Sequence, residues 1–178
     1  MLRAMVIVLV ILLAEAAGAA LFIESGSYNI GADDHHTKLT LAVIEQLRER
    51  SIAARDGGVP AQPALHFETL KAGAVHYATL CAGCHLAPGV TKSDIRPGLY
   101  PHPPNLAQED VQNPQRAFWI IKHGIKMSGM SAWGKTHSDD EIWNMVALLQ
   151  KLPKLTPGEY KMLVGIAAGH HDHDKMKM

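Results

Sequence analysis

Cys81-Ala82-Gly83-Cys84-His85 is the stretch on which the reading of this chain turns. Cys-x-x-Cys-His is the spacing at which two thiols can each add to one vinyl group on the same edge of a porphyrin. The histidine that follows is then placed to offer its imidazole to the iron as one axial ligand. Ala82 and Gly83 are small enough for the ring edge to lie against the backbone. Other uses of a Cys-x-x-Cys pair fit less well. A zinc site would need further soft ligands, and the chain has only these two cysteines. A thioredoxin-like pair would need a βαβ setting, whereas the flanking sequence has helical periodicity. The motif therefore predicts one covalent haem c, held by Cys81 and Cys84, with His85 on the iron.

Outward from the motif, the pattern is all-α. Glu68–Leu80 reads as a helix that delivers Cys81, with Leu70, Ala74, Tyr77 and Ala78 as inner positions. A loop from Leu86 to Asp110 follows, punctuated by five prolines. So long a loop is unusual in a small domain, and a haem would give it a surface to pack on. Asn113-Pro114 is a cap followed by proline at the first helical position, opening a helix that runs to His123 and stops at Gly124. A second irregular stretch, Ile125–His137, contains Met127 and Met130. Ser138-Asp139-Asp140-Glu141 is a capping box, and it starts a helix carrying Ile142, Met145, Val146 and Leu149, with Pro153 ending it. Thr156-Pro157 opens one more helix, to about Ala168. No internal repeat appears, so one haem is expected.

The segment before the motif divides in two. Ala4–Ile23 is apolar except for Glu15, and at about 1.5 Å per residue a helix over it would span about 30 Å, one hydrocarbon core. The favoured reading is an uncleaved membrane anchor. A secretory signal with cleavage near Ala17 or Ala20 is the alternative. Either puts the rest of the chain outside the cytoplasm, with Arg3 keeping the amino terminus inside. Asp33-Asp34-His35-His36 reads as a helix start with acids at the positive end of the dipole, or as a metal site. Thr37–Ala54 reads as a helix with Leu41, Ile44 and Leu47 on one stripe, stopped at Gly57-Gly58. Val59–Pro63 is a turn-rich linker and the expected domain boundary. The expected segments are thus 1–24, anchor or signal; 25–63, connector and extra helix; 64–155, haem domain; and 156–178, helix and tail.

Composition limits the function classes. Seventeen basic and seventeen acidic residues give zero formal net charge, without the basic stripe that a nucleic-acid binder would show. Hydrophobic residues make up 47% of the chain and aromatics only 6%, which suits a small domain filled largely by a cofactor. The tail contains His170, His171 and His173 among acidic and basic residues, a composition that could bind a divalent metal. Lys122, Lys126 and Lys135 surround the methionine loop and could steer an acidic partner.

The order of these signals resembles a class I cytochrome c domain over residues 66–153, of the membrane-anchored bacterial monohaem type. The resemblance implies helices packed around one covalent haem, preceded by an N-terminal transmembrane helix and an extra helix. In that family, a glycine and an aromatic residue on the first helix meet a large residue on the last. Gly73, Tyr77 and Trp143 lie at the matching offsets. Met130-Ser131-Ala132-Trp133 is similar to the family's Met-Pro-Ala-Phe or Met-Pro-Ala-Trp stretch, with serine in place of proline. This implies Met130 as the second axial ligand, with Met127 as the alternative and His123 and His137 as outside candidates. The function it implies is single-electron transfer, with no enzymatic activity of its own although it could serve as a subunit of an oxidoreductase complex. Redox proteins would be donor and acceptor, the site a bacterial cytoplasmic membrane with the haem domain facing the periplasm, or the soluble periplasm after cleavage. The competing class is a haem sensor or peroxidase-like protein with a labile sixth ligand.

Overall fold

The computed structural model describes residues 1–165. His170, His171 and His173, and the end of the helix expected to reach Ala168, lie outside the described residues. The chain divides into two compact units, Met1–His35 and the remainder from His36. The first unit is built on helix α1, Leu2–Glu24. Its 23 residues are long and apolar enough to cross a membrane, and none is buried by protein. A membrane anchor and a signal sequence both meet that description.

The regular elements among the described residues of the second unit are helices. Among its described residues no strand forms, and Ala87 and Val90 make an isolated bridge. Its helices are α2 (Lys38–Ala53), α3 (Phe67–His76), the short α4 (Ala82–His85), α5 (Pro114–His123) and α6 (Asp139–Leu149), followed by α7 at 157–165. Local chemistry sets their starts. The Thr37 hydroxyl accepts from the Thr40 N–H at 3.2 Å, so α2 begins after the Asp33–His36 stretch and has no acidic residue in its first turn. Asn113 caps α5 by accepting from the Arg116 N–H at 2.9 Å, with Pro114 at the first helical position. Ser138 and Glu141 form the reciprocal box that opens α6, at 3.3 and 2.7 Å. Thr156 and Glu159 repeat it at α7, at 3.3 and 2.7 Å.

The core is the crossing of α3 and α6, the most extensive helix pair. A Cβ built on Gly73 would stand 2.1 Å from the Asn144 carbonyl oxygen and 3.2 Å from Leu148 Cβ, so only glycine lets the backbones approach this closely. Around the crossing, Ala74, Ile142, Met145, Val146 and Leu148 are fully buried. Trp143 stacks on Phe118 of α5 with ring centroids 4.3 Å apart, and Tyr160 of α7 meets Tyr77 edge-on at 6.4 Å. Alpha-6 is buried on most of its circumference because α3 and α5 share it, together with the short turns Trp133–Lys135 and Leu152–Lys154.

One expectation is revised. Glu68–Leu80 is not one regular helix: after His76 the backbone widens into a π-helical turn, Tyr77–Cys81. The Thr79 hydroxyl donates to the Val75 carbonyl at 2.9 Å in this turn, the kind of competition that distorts a helical ladder. Helix α2 packs against the rest of the second unit. Ile52 of α2 is 2% exposed and Val59 packs on the core, while Arg116 on α5 forms an ion pair with Glu49 on α2. Burial and charge thus hold α2 in the second unit.

The crossing makes a paired prediction. Gly73→Ala should cost roughly 1–3 kcal/mol by forcing the helices apart. Gly158→Ala, where the structure leaves open space for a Cβ, should gain up to about 1 kcal/mol. Guanidinium unfolding midpoints measure both. Equal midpoints for the two variants would contradict the close crossing.

Candidate functional site

The π-helical turn carries Tyr77 to Cys81, and α4 carries Cys84 and His85. This widened turn is fastened from below. Tyr77 is 1% exposed, and its hydroxyl donates to the Leu86 carbonyl at 2.6 Å. Leu86 has φ +62°, a left-handed conformation that costs a non-glycine residue on the order of 1–3 kcal/mol. Tyr77 holds that turn, so the chain leaves α4 sharply and returns as the proline-rich loop. The loop then clasps the histidine from two sides. The Leu106 N–H donates to the His85 carbonyl at 3.1 Å, and His85 Nδ1 lies 3.0 Å from the Pro104 carbonyl. A carbonyl can only accept, so Nδ1 carries the proton and Nε2 keeps its lone pair for a metal. Burial pushes the His85 pKa down, and the Arg96 charge adds to this against the pull of Pro104 and Glu109. Burial thus favours the neutral imidazole, the form that ligates.

Cys81, Cys84, His85 and Met130 all line one cavity of about 820 Å³. Much of its remaining lining is apolar, including Leu80, Ile120, Ile121, Met145 and Leu149. Its volume lies in the range of cofactor sites, about 300–1,000 Å³. Burial, and then the neighbouring Cys84 thiol, push the Cys81 thiol up to about 12. A large apolar cavity, two adjacent thiols and an oriented neutral imidazole are the donor set and shape that a covalent haem requires.

The methionine loop separates its two candidates. Gly124, at φ +64°, ends α5 and turns the chain back. The Ile125 N–H donates to the Met130 carbonyl at 3.1 Å, closing the loop. Ser128 cross-braces it, donating to the Ile125 carbonyl at 2.8 Å and accepting from the Met130 N–H at 3.2 Å. Met130 packs on the core and lines the cavity. Met127 is fully exposed, at 101%, on a left-handed residue at the loop's tip. Trp133 lines the cavity beside Met130. His123 packs against Trp119 at 4.8 Å, and His137 sits between His76 and Trp133 at 5.4 Å from each; neither histidine lines the cavity. Lys122 is ion-paired with Asp139 at 2.6 Å, so it is less available for steering than the sequence implied. No metal-binding group of three or more His, Cys, Asp or Glu residues forms among the described residues, Asp33–His36 included.

Sequence reasoning missed three parts of the site: the Tyr77 hydroxyl, the Pro104 carbonyl and the contribution of α2. Only the prolines of the loop offered a signal, and they marked the segment rather than the acceptor atom.

Residues 68–149 match the family model of Cytochrome C oxidase, cbb3-type, subunit III. That match makes the part of the chain around this cavity a c-type cytochrome domain, which implies covalently bound haem c and haem-based electron transfer with redox partners. No curated protein matches the chain.

Gly124→Ala tests the loop. The new Cβ would stand 2.6 Å from the Met130 carbonyl at a positive φ, so the variant should lose roughly 1–3 kcal/mol of stability and show an altered ferric haem spectrum. An unchanged melt and spectrum would show that Met130 does not depend on this turn.

Proposed function

We propose that the protein is a monohaem electron carrier with Cys81 and Cys84 as attachment thiols and His85 and Met130 as axial ligands. It would serve a membrane-associated respiratory or dehydrogenase-linked chain, alone or as a subunit of an oxidoreductase complex. The observation that carries this reading is that His85 and Met130 line the same cavity, while Met127 points into solvent. The bound haem iron supplies a one-electron change between Fe(II) and Fe(III). The protein's residues do the rest. Pro104 fixes the imidazole through its Nδ1–H. Met130 brings a soft thioether, which favours the ferrous ion and raises the potential. Trp133, Ile121 and Met145 help exclude water, and a filled sixth position leaves no room for a small ligand.

Met130→Ala should abolish the weak red-end absorption band of the ferric protein and let carbon monoxide bind the ferrous form. Met127→Ala should change neither. The reverse pattern would make Met127 the ligand. Rapid carbon monoxide binding by the unaltered protein would instead favour a sensor or peroxidase.

Helix α1 is proposed to stay attached and hold the domain at the outer face of a bacterial cytoplasmic membrane. Its length, its apolar composition and the lack of any protein covering it support this. The purified protein should then have an intact mass that includes residues 1–23. A mass beginning at Ala17 or Ala20 would show a cleaved signal and a soluble periplasmic carrier.

A further inference from the structure

Helix α2 precedes residues 68–149, yet Glu45, Arg48, Glu49 and Ile52 all line the haem cavity. Ile52 anchors the helix in the interior. Glu49 then gathers two guanidiniums. It accepts from Arg48 Nε at 3.1 Å and from Nη2 of Arg116 on α5. Both arginines are about two-thirds buried, with side-chain exposures of 31% and 30%. They are the arginines of the cavity lining, which contains no lysine among the described residues.

A haem brings two carboxylates of its own on propionate arms. In a cavity as apolar as this one, those charges need hydrogen-bonding cations. A guanidinium has five N–H donors, and Glu49 engages one nitrogen of each arginine, so both keep donors for a second carboxylate. Arg96 is a weaker candidate: its Nη1 donates to the Pro103 carbonyl at 3.1 Å, and it does not line the cavity.

We propose that Arg48 and Arg116 receive the haem propionates, making α2 a structural strap of the haem site that Glu49 fastens to α5. This rests on the haem reading above. The arginines keep the propionates ionised. Without them, a propionate is left facing the carboxylates of Glu45, Glu49, Glu109 and Asp110, so its pKa rises. A negative charge near the iron stabilises Fe(III), so the potential would then fall as that propionate deprotonates with rising pH. His102, and Glu49 once it has lost both arginines, also line the cavity and could give a slope of the same sign. The measurement therefore belongs in a His102→Gln background, with and without Glu49→Gln, and only a slope that persists with Glu49→Gln belongs to a propionate.

The test is redox titration of the full-length, haem-loaded protein across about pH 5 to 8, with covalent haem content checked for every variant. The His102→Gln parent should give a nearly flat profile. Adding Arg48→Gln and Arg116→Gln together should make the potential fall with pH, and should shift the Fe(III)/Fe(II) equilibrium at high pH toward Fe(III) by roughly tenfold, or about 59 mV for one electron. Glu49→Gln should move it the other way and leave the profile flat. A uniform drop without a slope would mean that the arginines act only as distant charges, and would overturn the proposal. So would a slope produced by Arg96→Gln instead. If the double variant loads no haem, the single variants decide: each should show a smaller slope, and two flat profiles overturn the proposal. A parent without covalent haem would refute the haem reading itself.

Discussion

The crossing of α3 over α6 sets where the attachment segment hangs. Gly73 lets the two backbones meet at the Asn144 carbonyl, where any side chain would collide. From that point the chain runs through Ala74 and Tyr77, both buried, to the first cysteine. The crossing therefore fixes the distance between the attachment thiols and the floor of the cavity, where Met145 and Leu149 of α6 lie. Alpha-5 packs on the same helix, so the surface that faces the cofactor has one rigid reference.

On that reference, polar contacts do what packing cannot. Tyr77 uses its ring to fill the core and its hydroxyl to hold the Leu86 turn. The loop reaches back to His85 through Pro104 and Leu106, so the orientation of the imidazole is set before any metal arrives. The methionine loop is built on the same plan. A left-handed glycine, a backbone closure and a serine brace bring Met130 inward. In the proposed His85/Met130 site, an oriented imidazole and a braced methionine loop would reduce the rearrangement that accompanies a change of iron charge.

Much of this was legible in the sequence, because the signals are local. The Cys81–His85 spacing, the caps at Asn113 and Ser138 and the stop at Gly124 each state a constraint within a few residues, and Gly73 was placed by the family resemblance. What was not legible depends on contacts distant along the chain. The π-helical turn arises where the helix ladder competes with Thr79 and must deliver Cys81 under Tyr77, and periodicity cannot register it. Alpha-2 was read as an extra helix beyond a linker, since nothing in its sequence indicates that Glu49 finds Arg116, 67 residues away. Its inner face is also not the stripe that was expected: Leu47 is exposed and Ile52 is buried. The choice between Met127 and Met130 rested on resemblance; in the fold Met130 packs on the core and Met127 is exposed.

The central claim is that Cys81 and Cys84 carry one haem by covalent bonds. Trypsin should release a single peptide, Ala72–Lys92, containing both cysteines and His85. Mass spectrometry of that peptide from the purified protein should give the peptide mass plus one haem, with neither cysteine open to alkylation. A haem-free peptide alkylated at both cysteines, from a protein whose colour passes into acid acetone, would contradict the claim.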